Sequence, residues 1–337
     1  MIRTSLTLFK QNLLAVVIGS LAVGLVAGQF IGTETRELLR LLVIPALFVM
    51  VYPMMINIDL TRVVRASEHA RLVGLSLLVN FAIAPVIAVG LAQLFFDGSA
   101  GYAFGLYMIA LIPTSGMTAA WTGLAGGDLE AALVALAVNL LLAVLVLPLY
   151  LSVLVGGTGM FEPMALYRQL AIVVVVPMIA GNLTRRYLLS RYDPSGFNSL
   201  KPVFGGVSSV GVMLIVFIAT AMQSTEILSD PATSVSTIIP LVIFYILIMT
   251  VGALFGRYLL STDQSIALIY ATSMRNLSIA LAIVVAADAI PTEAVLPIAL
   301  GYLVQPPLGA LYMQYRTDVV DGDLSPVALV RSKLRRS

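Results

Sequence analysis

The chain has 337 residues, 60% of them hydrophobic and 11% charged, with a mean hydropathy of +1.02. That leaves too little polar surface to cover a water-soluble globule and identifies an integral, polytopic α-helical membrane protein. Cysteine is absent, which excludes disulfides, thiolate metal sites and thiol nucleophiles, and the net charge of +2 matters less than its distribution.

Ten apolar stretches are long enough to cross a bilayer, at residues 13–32, 38–56, 72–96, 102–124, 131–155, 166–183, 203–222, 235–260, 266–287 and 294–312. The first is too long for a signal-peptide core and is followed at once by the second, so it reads as a retained span. After the second comes the loop 59–71, where His69 stands with Glu68, Arg62, Arg65 and Arg71 and reads as a solvated surface group. Asn80 lies inside the third span, Asn139 inside the fifth and Gln305 inside the tenth; each polar group at that depth is interhelical glue or part of a polar cavity. The fourth span contains Pro113, which has no amide hydrogen for the helix ladder, and Gly116, which loosens the backbone; a break is expected there. Trp121, two turns on, is too deep for an interfacial belt and is expected to pack between helices. The ninth span crowds Thr272, Ser273, Arg275, Asn276 and Ser278 together where lipid offers no hydrogen bonds. Turn residues at 97–99, 126–128, 156–159, 193–196 and 289–291 mark short connections with no room for a soluble domain.

Alternating sides along the ten spans puts every Lys and Arg on one side except Arg36, Arg40, Arg168 and the intramembrane Arg275. Both termini are therefore expected in the cytoplasm, in a multi-pass protein of the plasma membrane. Five is odd, so two five-span halves, 1–160 and 161–316, enter the membrane from opposite sides and form inverted repeats if homologous; residues 317–337 are a cytoplasmic tail. Residues 109–117 and 266–274 agree at five of nine positions, Ile109/Ile266, Ala110/Ala267, Leu111/Leu268, Ile112/Ile269 and Met117/Met274, 157 residues apart. Each half thus carries a polar, helix-weakening patch in its fourth span, the pattern of discontinuous helices meeting at the midplane of a secondary transporter. The candidate substrate contacts are Thr114, Ser115, Thr118, Ser273, Arg275 and Asn276; Asn80, Asn139, Thr272 and Gln305 make up an ion or polar core.

No phosphate loop, dinucleotide fingerprint or zinc motif is present, and no Asp or Glu lies mid-span to serve as acid or base, so neither a cofactor nor an enzymatic reaction is expected. The partners are a small polar or anionic solute and the lipid bilayer, with no nucleic acid. A passive channel with the same polar centre is the reading from another class.

Asn80 to Pro85 in the third span, Leu124 to Asp128 after the fourth, and Ala271-Thr272-Ser273-Met274-Arg275-Asn276 in the ninth resemble the bile acid:sodium symporter superfamily over nearly the whole chain. Val51 to Met55 and Trp121 to Asp128 look most like its arsenical-resistance branch, the arsenite and antimonite efflux permeases. The resemblance implies a panel of spans 1, 2, 6 and 7 and a core of spans 3–5 and 8–10, with crossing broken helices 4 and 9 and alternating access between panel and core. In sodium-coupled members a Glu and a Gln of the ninth span ligate sodium; here Ala271 and Arg275 stand in those places, so sodium coupling is not expected and a proton gradient is the expected driving force. Asn80, Thr118 and Asn139 alone keep usable oxygens at the family's cation positions. The arsenical branch carries a cysteine where this chain has Thr114, which makes thiol capture of arsenite impossible. The substrate is then a metalloid handled by hydroxyl and amide contacts, or an anion drawn to Arg275; sodium-coupled organic-anion uptake is the further alternative.

Overall fold

A computed structural model describes residues 13–155, 167–168, 171–229, 231–286 and 290–316. Among them the secondary structure is helical throughout, as it must be where lipid cannot satisfy a backbone amide. Helices α1 (Leu13–Gly28) and α2 (Thr33–Asn57) are followed by a 3₁₀ turn, Leu60–Arg65, and by α3, the span Ala70–Phe95. Then come α4 (Ala100–Leu111), α5 (Gly116–Leu124), α6 (Leu129–Val155), α7 (Val176–Arg191), α8 (Pro194–Ser229), α9 (Ile238–Leu259), α10 (Thr262–Ser273), α11 (Leu277–Ala286) and α12 (Val295–Gln314).

Among the described residues seven helices are long and apolar enough to cross a membrane, eight when the bent pair α4 and α5 counts as one span. Two of the ten expected spans stand apart. The first is met by the shorter apolar helix α1, and the sixth by α7, whose last turns carry Arg185, Arg186 and Arg191. Other boundaries moved. The stretch 193–196, expected as a connection, begins α8: Pro194 starts the helix, and Asp193 caps it by accepting the Gly196 amide at 2.9 Å and the Ser195 hydroxyl. The loop expected at 59–71 is wound into the 3₁₀ turn, with Asp59 accepting from the Thr61 amide. The boundary at 160/161, the turn 156–159, the start of the sixth span and the tail 317–337 lie outside the described residues.

The helices pack as two groups. In the first, α8 lies along α1 and α2, and α7 lies along α2. The approach is close because Gly211 of α8 has no side chain: a Cβ there would lie 2.5 Å from the Met50 Cα of α2. In the second group α3, α4, α5, α6, α9 and α12 surround α10 and α11. The span made by α10 and α11 is 89% buried, against 33% for α9, so its polar residues face protein and not lipid. The two groups meet where α11 contacts α2, where α12 contacts α1, and where the 3₁₀ turn contacts α6.

The 3₁₀ turn is held by charge. Asp59 bonds Arg185 of α7 at 3.0 Å and lies 3.6 Å from Arg62; Arg62 and Arg65 both reach Glu130 at the start of α6. Burial pushes the Asp59 carboxyl up, but the Thr61 hydroxyl and the Arg185 and Arg62 charges hold it below the ordinary aspartate value. His69 is half-buried, its Nδ1 3.9 Å from Asp128 Oδ2, and so is less solvated than the sequence suggests.

Candidate functional site

The fourth span breaks as its sequence predicts. Between α4 and α5 the chain leaves the helix at residues 112–115 and turns by 58°. The residue that takes the unusual conformation is not Gly116, which is the first residue of α5, but Thr114, with φ at +44°. A β-branched residue in the left-handed region is strained by about 1 to 3 kcal/mol and persists only where its surroundings fix it. Here Pro113 removes the helical alternative and the next residue starts a capped helix. Ser115 accepts the Met117 amide at 3.2 Å, while Thr118 Oγ1 accepts the Ser115 amide at 3.4 Å.

The ninth span is interrupted at residues 274–276, where within the chain's own turn the Arg275 amide meets the Ser273 carbonyl and the Leu277 amide the Arg275 carbonyl, two residues back in place of the helical four. Asn276 restarts the helix as α11 by accepting the Ile279 amide on Oδ1 at 3.2 Å. Unlike the fourth span, this one is not bent by more than 40° and passes as a single span of 25 residues, and it holds no proline to force a turn.

The two breaks touch. The Asn276 backbone amide donates to the Ile112 carbonyl at 3.2 Å, and Arg275 Nη1 donates to the Ala110 carbonyl at 3.1 Å. Each break thereby satisfies a backbone group that the other has freed. Gln305 of α12 brackets the same point: its Oε1 accepts the Arg275 amide at 2.8 Å and its Nε2 donates to the Arg275 carbonyl at 3.1 Å. Tyr245 of α9 donates to Gln305 Oε1 at 2.9 Å, and the Phe244 ring lies 5.6 Å from the Arg275 guanidinium carbon. Thr118 ties α5 to α10 through the Tyr270 carbonyl at 3.2 Å, and Trp121 stacks on Tyr270 with ring centres 6.4 Å apart, between helices as expected.

A second polar cluster lies alongside. Asn80 sits in a π-bulge of α3 at Val79–Ile83, a local widening that is common at functional sites. Its Nδ2 donates to Asn139 Oδ1 at 2.8 Å and to the Ala271 carbonyl at 3.1 Å; Asn139 donates to Ser76 Oγ and to its own helix at Ala135, both at 2.8 Å.

All ten candidate residues are buried. They do not all face the same space. Thr272 and Ser273 donate their hydroxyls back to carbonyls of α10, Thr272 to Leu268 and Ile269 and Ser273 to Ile269. Thr114 Oγ1, Asn276 Nδ2 and Arg275 Nε and Nη2 are buried without a hydrogen-bond partner, and Asn80 Oδ1 is likewise unmatched in the neighbouring cluster. Sequence reading did not find Phe244 and Tyr245. They sit within an unbroken apolar run, where nothing distinguishes a residue facing the site from one facing lipid. Among the described residues no group of His, Asp and Glu is placed to hold a metal ion.

Residues 44–230 match the Sodium Bile acid symporter family. The chain is 26% identical to the Arsenical-resistance protein Acr3 of Alkaliphilus metalliredigens over 265 residues, 72% of this chain and 74% of that one. It is also 26% identical to the Uncharacterized protein YbaS of Bacillus subtilis over 250 residues, 73% and 79% of the two chains. A shorter match, 34% identical over 114 residues, joins it to the Sodium/bile acid cotransporter 7 of Danio rerio, covering 34% of this chain and 32% of that one.

Proposed function

This chain belongs to the Sodium Bile acid symporter family, and from that premise we propose that it is a secondary transporter that carries a small polar solute at the junction of its two broken spans. It is a membrane transport protein of several spans, not of an enzyme family. The observation that carries the reading is the pair of bonds by which Asn276 and Arg275 reach the Ile112 and Ala110 carbonyls, which joins two helix interruptions within a buried cluster of polar side chains. Irregular backbone at this depth is sustained where it is buried in protein or lines a cavity, and paired interruptions of two spans are the arrangement that builds a midplane solute site in secondary transporters. The helix group of α1, α2, α7 and α8 is read as a panel, the group around α10 and α11 as the core, and the halves 1–160 and 161–316 as inverted repeats.

Sodium is not the coupling ion at this junction. Ala271 offers only its carbonyl, which Asn80 already occupies at 3.1 Å, and Arg275 brings a positive charge and no acceptor in its side chain. A proton is the alternative ion, although the buried polar residues among those described include no Asp, Glu or His to carry one. Relatives named for arsenical resistance favour a metalloid solute. It would be held by hydroxyl and amide groups, since Thr114 is not a thiol and the chain has no cysteine.

The test is flux in proteoliposomes with sodium and proton gradients imposed separately and arsenite, antimonite and carboxylates as solutes. Uphill movement of one solute without sodium is expected. Flux that only dissipates gradients identifies a channel, and steep, saturable dependence on sodium overturns the coupling assignment. A reporter fused after Ser337 is expected in the cytoplasm; an external one refutes the ten-span topology.

A further inference from the structure

Among the described residues Arg275 is the largest fully buried side chain, 1% exposed, and no carboxylate is among its partners there. Its three nitrogens are used unequally. Nη1 is anchored on the Ala110 carbonyl, while Nε and Nη2 have no partner. Those two N–H groups lie side by side on one edge of the planar guanidinium, the edge that meets two oxygens of a single anion in parallel. Two further unmatched polar atoms, Asn276 Nδ2 and Thr114 Oγ1, belong to the same pair of breaks. The half-helices α5 and α11 both begin at this junction, so their positive ends reinforce the preference for negative charge. The Phe244 ring and the Ala110 carbonyl offset part of the charge and leave the edge free.

We propose that the Nε/Nη2 edge of Arg275 binds a small monovalent oxyanion, a monocarboxylate or a monobasic inorganic oxyanion, and that the protein consequently works as an anion exchanger. The inference rests on the transporter reading above and names the substrate class of that same junction. With the anion bound, the junction is close to neutral and the bundle moves between its two states without an uncompensated charge. Emptied, the same movement carries an unpaired guanidinium through a low-dielectric interior, which is strongly disfavoured. Return is therefore fast only when a second anion is loaded on the far side.

The experiment uses the full chain in proteoliposomes loaded with labelled acetate, with acetate, phosphate or no anion outside and membrane potential clamped; undissociated arsenous acid serves as the neutral solute. Binding is read independently as thermal stabilisation of the detergent-solubilised protein by acetate and by phosphate, which also separates carboxylate from inorganic anion. Release accelerated about tenfold or more by external anion is expected, with loss of both acceleration and thermal stabilisation in Arg275→Gln. Arg275→Lys, which keeps the charge and loses the fork, is expected to retain insertion and weaken binding about tenfold. Equal release with and without external anion overturns the exchange mechanism. Anion binding unchanged in a correctly inserted Arg275→Gln overturns the oxyanion site, as does transport of the neutral solute alone; in that last case the transporter reading stands. Anion binding without flux of any solute overturns the transporter reading and the exchange with it, while the binding site itself stands.

Discussion

Asn80 donates its side-chain amide to Asn139 Oδ1 at 2.8 Å, and this bond, extended to Ser76 and to the Ala271 carbonyl, ties α3, α6 and α10 together without any charge. Asn139→Ala leaves both the Asn80 amide and Ser76 short of a partner in a setting where water does not replace it. The variant is expected to lose about 1 to 2 kcal/mol of stability, the upper part of the range for interhelical hydrogen bonds in membranes. Unfolding in mixed detergent measures it. An unchanged midpoint would mean that neighbouring carbonyls take over the bond.

Asp59 links the 3₁₀ turn to α7 through Arg185, and its carboxyl is held below the ordinary aspartate value of 3.8. A carboxylate whose folded value is depressed contributes stability that is fully present above 3.8 and lost as pH falls through the lower folded value. The wild-type protein is thus expected to exceed Asp59→Asn in stability at pH 6, with the gap closing below pH 3.8. A gap that persists undiminished in acid would assign the effect to hydrogen bonding alone. Salt is expected to weaken it only partly, because Asp59 is sheltered.

How much of this was legible in the sequence follows from which residues leave a local mark. Pro113 and the polar crowd from Thr272 to Ser278 announced both breaks, because each violates the apolar monotony of a span. The identity of the strained residue was not legible: Thr114 takes positive φ only because the chain must both turn and place Ser115 as a cap. Nor was the bond between Asn276 and Ile112, which depends on two helices 164 residues apart meeting at one height. Helix ends at Pro194 and Arg191 were misplaced because hydropathy marks where a span leaves lipid and not where the helix stops.

Close packing of α8 on α2 is the next expectation. At Gly211 an added Cβ would meet the Met50 Cα and N at 2.5 Å, backbone atoms that no rotamer change removes. Gly211→Ala is therefore expected to push the two helices apart and cost about 1 to 3 kcal/mol. Met50→Ala should not rescue it, since the clash is with backbone. Rescue by that second change would place the conflict in the Met50 side chain.

Thr114 separates the shape of the fourth-span break from its chemistry. Its backbone is strained at φ +44°, and its hydroxyl is buried with no partner. Thr114→Gly removes both, and because glycine adopts this conformation freely its stability is expected to equal or exceed that of the wild type, by up to about 1 kcal/mol after the entropy of the unfolded glycine is counted. Thr114→Val keeps the branched shape and the strain while deleting Oγ1, so its stability should stay within about 1 kcal/mol of the wild type while solute affinity falls about 5- to 30-fold, as for one lost hydrogen bond in a buried site. Measured side by side, the two variants divide the possibilities. Full affinity in Thr114→Val would show that Oγ1 does not meet the solute, and lower stability in Thr114→Gly would show that the threonine side chain is held by packing that outweighs its strain.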